Sequence, residues 1–199
     1  MAELDRSRGP SAGGAQAVVK RWPAEDLPRG RAGAAVTMVL RDGHREVEVL
    51  LIERTVRKND LASGHVALPG GRAEPQDPTL SATAVRELTE EVGLGQNDVE
   101  MPLRLLGVER ADLFGLDVAV FAVRLRSRPA HLVPSPDEVA HIFWLPLPKL
   151  GQVESVERTT SLGPRQVAAV VDIGRVLWGF TLRILRTYLG SAAPPGSGA

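Results

Sequence analysis

Cysteine is absent from the 199-residue chain, which excludes disulfides, a thiol nucleophile and any cysteine-ligated zinc or iron–sulfur centre. That absence fits a reducing compartment. Net charge is absent as well, because 24 Lys and Arg balance 24 Asp and Glu. No overall field therefore draws the chain to nucleic acid or to an anionic membrane, and recognition of an anion has to be local. Aromatic residues amount to only 4%, which leaves few platforms for stacked bases. The arginine-containing runs "RLRSRPAH" and "RTVRK" are short, so no nucleic-acid partner is expected. No uninterrupted apolar run approaches the roughly 20 residues that span a bilayer, and the opening "MAELDRSRGPSAGGAQ" lacks the apolar stretch of a secretory signal. The expectation is a soluble, cytoplasmic protein with no membrane partner.

What is present suits one globular domain, since 43% of the residues are hydrophobic and the length permits a sizeable core. Residues 1–30 are rich in Gly, Ala, Pro and charge, and 191–199 have nothing to bury, so both ends are expected to be flexible around a folded part at 31–190. Within it, "AAVTMVL" (34–40) reads as a buried strand. The Asp42-Gly43 turn leads to "EVEVLLIER" (46–54), completing a hairpin. A polar loop (55–64) precedes the short strand of "HVALPGG", and "LRLLGVER" (103–110) and "LDVAVFAVRLR" (116–126) supply two more strands. A Pro-rich loop opens 133–147 and an aromatic cluster closes it. Residues 174–189 have helical length and period, with Val176, Leu177, Phe180 and Ile184 facing the sheet. A second stripe, Trp178, Leu182, Leu185 and Leu189, suggests a homodimer surface. The order gives a mixed α/β (α+β) domain with two main helices and no internal repeat.

A second helix is predicted at Pro78–Val92, with Asp77 as N-cap, proline at the first helical position and Gly93 as its stop. At about 100° per residue, Val85, Leu88 and Val92 gather on one side while Glu87, Glu90 and Glu91 gather on the other. Carboxylates three and four residues apart repel, and here they sit at the helix end whose dipole disfavours anions. A solvated acidic face is one reading. A divalent cation is the other, since hard oxygen ligands suit Mg²⁺ or Mn²⁺ that bridge to phosphates. The preceding "LPGG" tilts the balance: at Gly70 and Gly71 a backbone carbonyl or a ligand can approach closely.

This stretch resembles the Nudix box, G-x5-E-x7-R-E-U-x-E-E-x-G-U with U aliphatic. "RELTEEVGL" (Arg86–Leu94) matches every specified position, and Gly71 matches the first glycine. Asp77 stands in place of the motif glutamate, with one extra residue between it and Arg86. The resemblance implies a Nudix-like mixed β-sheet sandwiched between helices. It also implies metal-dependent hydrolysis of a nucleoside diphosphate linked to another moiety, with Mg²⁺ or Mn²⁺ as cofactor. By it, Glu87, Glu90 and Glu91 are the metal-ligating carboxylates, Gly70 offers a carbonyl ligand, and Arg86 orients the glutamates. The general base is Glu90 or Glu91, or Glu138 on the loop "SPDEVAHIFW".

The extra box residue, "LLIERT", "GHVALPGG" and "VLWGFTLRIL" are similar to the coenzyme A diphosphatase branch, which releases 4′-phosphopantetheine and a 3′,5′-bisphosphate nucleotide. That branch carries an Arg-x-His-x-Gly run where this chain has Asp60, Ala62 and Gly64. Arg54, Arg57, Lys58 and Arg72 are the nearby cations, and Arg54, Arg72 and His65 are the candidate substrate-binding residues. CoA or an acyl-CoA is the expected substrate, with ADP-ribose, NADH or an oxidised dNTP as alternatives, and a non-catalytic nucleotide-binding module as a third reading. Trp144, Phe143 and Trp178 read as packing residues. His44, His131 and His141 show no ligand spacing.

Overall fold

The computed structural model describes residues 14–20, 23, 25–58, 62–126, 132–160, 163–172 and 174–190. Asp60, His131 and the 191–199 tail lie outside the described residues. The element order is α1 (Gly14–Lys20), β1 (Ala34–Asp42), β2 (Val47–Arg54), β3 (Val66–Ala67), β4 (Gly70–Arg72) and α2 (Leu80–Val92). Then follow β5 (Arg104–Ala111), β6 (Leu116–Arg124), β7 (Val139–Pro146), β8 (Glu154–Thr160), β9 (Gly163–Asp172), β10 (Arg175–Trp178) and α3 (Gly179–Leu189).

Seven strands form one mixed sheet in the order β3-β2-β1-β6-β5, with β4 also pairing β1 and β7 also pairing β2. Among the described residues only the central pair, β1 with β6, runs parallel, in register from Ala34↔Val118 to Leu40↔Arg124. Both faces of this sheet are covered, which explains why its central strands read as nearly continuous apolar runs. Met38, Leu40, Val49, Leu51, Val120 and Ala122 point toward α1 and α3. Their alternates Val39, Leu50, Ile52, Ala119, Phe121 and Val123 pack with Leu80, Ala84, Leu88 and Val92 of α2. The period of two along each strand thus divides the core into two layers, and the expected sheet between helices is found.

Three expectations need correction. Residues 14–20, read from composition as part of a flexible end, form a short helix that buries Ala15 and Val19. Residues 175–178, read as helix, are a strand instead, and Gly179 at φ +62° turns the chain from β10 into α3. The stripe offered for a homodimer is occupied within the chain: Leu182, Leu185 and Leu189 are buried in the core, and Trp178 belongs to β10. The ground for a dimer on that surface is therefore gone.

The sequence reading missed the β8–β9–β10 sheet almost entirely. Its first two strands are largely exposed, so they carry only a weak alternation of apolar and polar residues. Arg175 holds this second sheet to the first through Glu53 at 3.1 Å, and its guanidinium stacks over the Phe143 ring. Trp144 and Phe143 pack against opposite layers of the core, as expected of them. Among the described residues no helix is long and apolar enough to cross a membrane.

Candidate active site

The helix α2 begins two residues later than its Asp-Pro signal suggests. Thr79 is the N-cap, accepting a hydrogen bond from the Ala82 amide, and Gly93 in the left-handed conformation closes the helix as predicted. Asp77 is thereby released for a different task. It is buried, and its carboxylate accepts from the Glu74 amide at 2.9 Å, the Thr83 hydroxyl at 3.0 Å and both Nε and Nη2 of Arg86 at 3.2 and 3.1 Å. Hydrogen bonding to Arg86 is the main reason that the Asp77 carboxyl is held below its ordinary range. The same contact raises the Arg86 guanidinium further. Arg86 then reaches Glu87 Oε1 and Glu90 Oε2, each at 2.8 Å, and donates to the Arg72 carbonyl at 2.9 Å. The sequence places a cation among the glutamates, and the structure seats it there on a buried aspartate.

The three helix glutamates have different fates. Glu91 is 1% exposed and Glu87 8%, whereas the Glu90 side chain is 54% exposed and turned onto Arg86. Glu91 accepts from the Gly70 amide at 2.8 Å and lies 3.8 Å from the Arg54 guanidinium. Burial pushes its carboxyl up to about 8; the Gly70 amide and Arg54 work against that rise, and the nearby Glu87 and Glu138 add to it. Burial also raises Glu87, against the opposing pull of Arg86. Gly70 thus uses its N–H to hold Glu91, a different group from the carbonyl that the resemblance implies as a ligand.

The two glycines before the helix have separate reasons. At Gly70, φ is +150° and an added Cβ would lie 2.2 Å from the Ala35 carbonyl oxygen and 2.6 Å from Val36 Cα. At Gly71, an added Cβ would meet the Glu87 carboxylate at 2.4 Å. Backbone cannot retreat and a carboxylate can, which predicts a clean division. Gly70→Ala is expected to lower Tm by several degrees, consistent with strain of about 1–3 kcal/mol at such a backbone position. Gly71→Ala is expected to leave Tm nearly unchanged while displacing Glu87. Thermal melts and steady-state rates of the two variants, measured side by side, check this.

Glu87, Glu91 and Glu138 line one cleft of about 820 Å³ with Arg54, Arg72 and His65. The sheet edge supplies Gly70 and Gly71, and the three-stranded sheet supplies Thr159, Thr160 and Trp178. The wall also carries apolar side chains, Leu113, Phe114, Leu116 and Phe180, beside Asp112 and Arg183. Leu113 and Phe114 are 48% and 43% exposed. Trp178, expected only to pack, meets His65 edge to face with ring centroids 5.1 Å apart. Phe180 read only as facing the sheet, and Leu113, Phe114 and Leu116, between the end of β5 and the start of β6, carried no functional signal in the sequence. Glu90 does not join the cleft wall.

Among the described residues no three Asp, Glu or His side chains form a ready-made ion site. The donor set nonetheless suits a hard divalent cation. Two buried carboxylates face a cleft, one of them held mostly protonated at neutral pH by burial, and Gly71 lacks the Cβ that would take the place of the Glu87 carboxylate.

Residues 31–163 match the NUDIX domain. The chain belongs to this family. Nudix relatives include the peroxisomal coenzyme A diphosphatase ndx-8 of Caenorhabditis elegans, 38% identical over 127 residues that cover 61% of this chain and 53% of that protein. An uncharacterised Nudix hydrolase, NudL of Citrobacter koseri, is 30% identical over 165 residues, covering 81% of this chain and 82% of the relative. The chain spans about half the length of several curated relatives, 53% and 55% for ndx-8 and for the mitochondrial Nudix hydrolase 15 of Arabidopsis thaliana. A crystal structure of a Nudix hydrolase from Alicyclobacillus acidocaldarius shares the fold, at 18% identity and TM-score 0.56 over 83% of this chain and 92% of that one.

Proposed function

We propose that this Nudix protein is a divalent-cation-dependent hydrolase of a nucleoside diphosphate linked to another moiety, with CoA or a CoA derivative as substrate. The observation that carries the reading is the convergence of Glu87, Glu91 and Glu138 on one cleft that also holds Arg54 and Arg72. Carboxylates and guanidinium groups facing the same space suit an anion bridged by a cation, whereas an unbridged phosphate would be repelled by whichever acids are ionised. Glu87 and Glu91 would hold Mg²⁺ or Mn²⁺, and Glu90 would join them on exchanging its contact with Arg86. When bound, the ion supplies charge neutralisation at the diphosphate and a more acidic water.

The chain's own groups supply the rest. Arg54 and Arg72 attract the diphosphate oxygens, His65 flanks them, and Glu138 accepts the proton of the attacking water. Arg86, anchored by Asp77, fixes the rotamer of Glu87. The apolar end at Leu113, Phe114 and Phe180 gives room to the uncharged arm of a CoA-like substrate. The coenzyme A diphosphatase names of ndx-8 and of mouse NUDT7 support the same substrate class.

A second reading, nucleotide binding without cleavage, or cleavage of ADP-ribose, NADH or an oxidised dNTP, draws on Arg86 occupying the space between Glu87 and Glu90. A mass-spectrometric product assay separates these readings, using CoA, acetyl-CoA, ADP-ribose, NADH and 8-oxo-dGTP with Mg²⁺ or Mn²⁺, beside Glu138→Gln. Phosphopantetheine release that falls by at least about 10²-fold in the variant is expected, the scale of general acid–base assistance. Turnover of another member replaces the substrate, and no turnover at all leaves the binding module. The cytoplasm is the proposed location.

A further inference from the structure

The Glu138 carboxylate belongs to a turn that has few ways of holding itself. Residues 133–139 read "VPSPDEV", and Pro134 and Pro136 have no N–H to donate. Within the turn, only the Glu138 and Val139 amides bond back, both to the Ser135 carbonyl at 3.0 and 2.8 Å. On one side it leans on the end of α2: the Ser135 amide donates to the Glu91 carbonyl at 3.1 Å and the Val133 amide to the Val92 carbonyl at 3.2 Å.

On the other side three consecutive carbonyls of the turn are taken by one short segment after β2. The Thr55 hydroxyl donates to the Pro136 carbonyl at 3.4 Å, the Arg57 guanidinium to the Asp137 carbonyl, and the Thr55 amide to the Glu138 carbonyl at 2.9 Å. Arg57 is itself steadied, since its amide donates to the Ser63 hydroxyl at 2.6 Å. The preceding residue, Arg54, lines the cleft and donates its amide to the His65 carbonyl at 3.0 Å. One segment thus joins the cation side of the cleft to the backbone that carries Glu138.

We propose that Thr55 and Arg57 are positioning residues that hold the Glu138 carboxylate over the cleft, with Arg57 acting through the Asp137 carbonyl. The inference rests on the reading of Glu138 as the proton-accepting group. Arg57 is on the surface and touches no lining carboxylate, so its influence passes through the turn. A guanidinium matters here because it reaches across to a carbonyl while remaining charged, and the charge strengthens the bond it donates. Loss of one such bond would let the turn sample orientations in which Glu138 faces solvent. The rate would fall by the populated fraction, with substrate affinity, set by Arg54 and Arg72, little changed.

The test combines kinetics with hydrogen exchange on the full chain, using whichever of CoA, acetyl-CoA, ADP-ribose and NADH is cleaved fastest with Mg²⁺. Arg57→Met is expected to lower kcat about 5–10-fold, the effect of one hydrogen bond to a charged donor, with KM within about twofold. Faster amide exchange should be confined to 133–139, and Arg57→Lys should recover most of the rate. In a Glu138→Gln background, Arg57→Met should cost nothing further, because there is no longer a carboxylate to position. Equal losses in both backgrounds, or unchanged exchange at 133–139, would overturn the proposal. If Glu138→Gln alone leaves kcat unchanged, the reading of Glu138 fails while the exchange data still judge the clamp. A chain that cleaves nothing is judged by the same exchange measurement.

Discussion

Glu91→Gln is expected to slow turnover severely and, in the metal-free protein, to raise stability. The two effects have one cause. Glu91 is almost fully buried, and burial moves its carboxyl from the ordinary 4.5 to about 8. The folded state therefore holds the proton more tightly than the unfolded one, and between these values unfolding releases it. Stability from this group is complete below about pH 4.5 and is lost as pH rises through 8. Above pH 8 the full shift, from 4.5 to about 8, corresponds to about 5 kcal/mol as an upper value, since each pKa unit is worth about 1.4 kcal/mol. Glutamine keeps the shape and its carbonyl still accepts from the Gly70 amide, but it carries no titrating proton. The metal-free variant should therefore melt several degrees above wild type at pH 8 and close to it at pH 4.5, each kcal/mol being worth about 2–4 °C in a domain of this size. Its rate with Mg²⁺ should fall on the order of 10²–10³-fold, the scale of removing one preorganised electrostatic anchor. Melts over that pH range and single-turnover rates check both halves. A variant less stable than wild type at pH 8 would show that Glu91 is a structural hydrogen-bond partner rather than a destabilising ligand.

Asp77→Ala is the second large effect, in the opposite direction for stability. The residue is buried and satisfies the Glu74 amide, the Thr83 hydroxyl and Arg86 together. Truncation leaves those donors without it, and breaking one partner of a buried ion pair costs about 3–5 kcal/mol. Tm should fall by roughly 10 °C at neutral pH. The Asp77 carboxyl is held below its ordinary value, chiefly by Arg86. Its contribution is therefore present at neutral pH and lost on acidification through the folded value, so wild type and variant should converge in acid. Arg86 would keep its contacts to the glutamates and to the Arg72 carbonyl but lose its buried anchor, and a loss of about 10–100-fold in rate is expected, as for other groups that orient metal-binding side chains. Asp77→Asn, which preserves shape, should retain more stability than rate. Equal Tm and rate in wild type and Asp77→Ala would remove Asp77 from the site.

The sheet and the glutamate helix were legible because both carry strong periodic signals. Strands buried on two faces read as apolar runs, and Leu88 and Val92 mark the core side of α2 unambiguously. The site was legible only in part. Helical periodicity groups Glu87, Glu90 and Glu91 on one side, but it does not tell that a hydrogen bond from Gly70 draws Glu91 inward while Arg86 turns Glu90 outward. The Asp77-Pro78 pair mimics a helix start, so local chemistry hid a side chain whose partner lies nine residues on. Thr79, the true cap, gives a weaker version of the same signal. Contacts at long separation, such as Arg57 with the Asp137 carbonyl, leave no local trace at all. The β8 and β9 strands were missed for the reverse reason: their side chains are mostly solvated, so hydrophobic patterning, the strongest signal for a strand, is faint there.

Calorimetric titration of Mn²⁺ into the metal-free protein at pH 7, in two buffers of different ionisation enthalpy and beside Glu91→Gln, tests the central claim most directly. A buried carboxyl that titrates at about 8 is mostly protonated at pH 7 and must release its proton to bind a cation. The account predicts saturable binding that releases close to one proton per ion, and a variant that binds far more weakly with no proton released. Equal Mn²⁺ affinity in the two proteins, or binding without proton release in wild type, would contradict it.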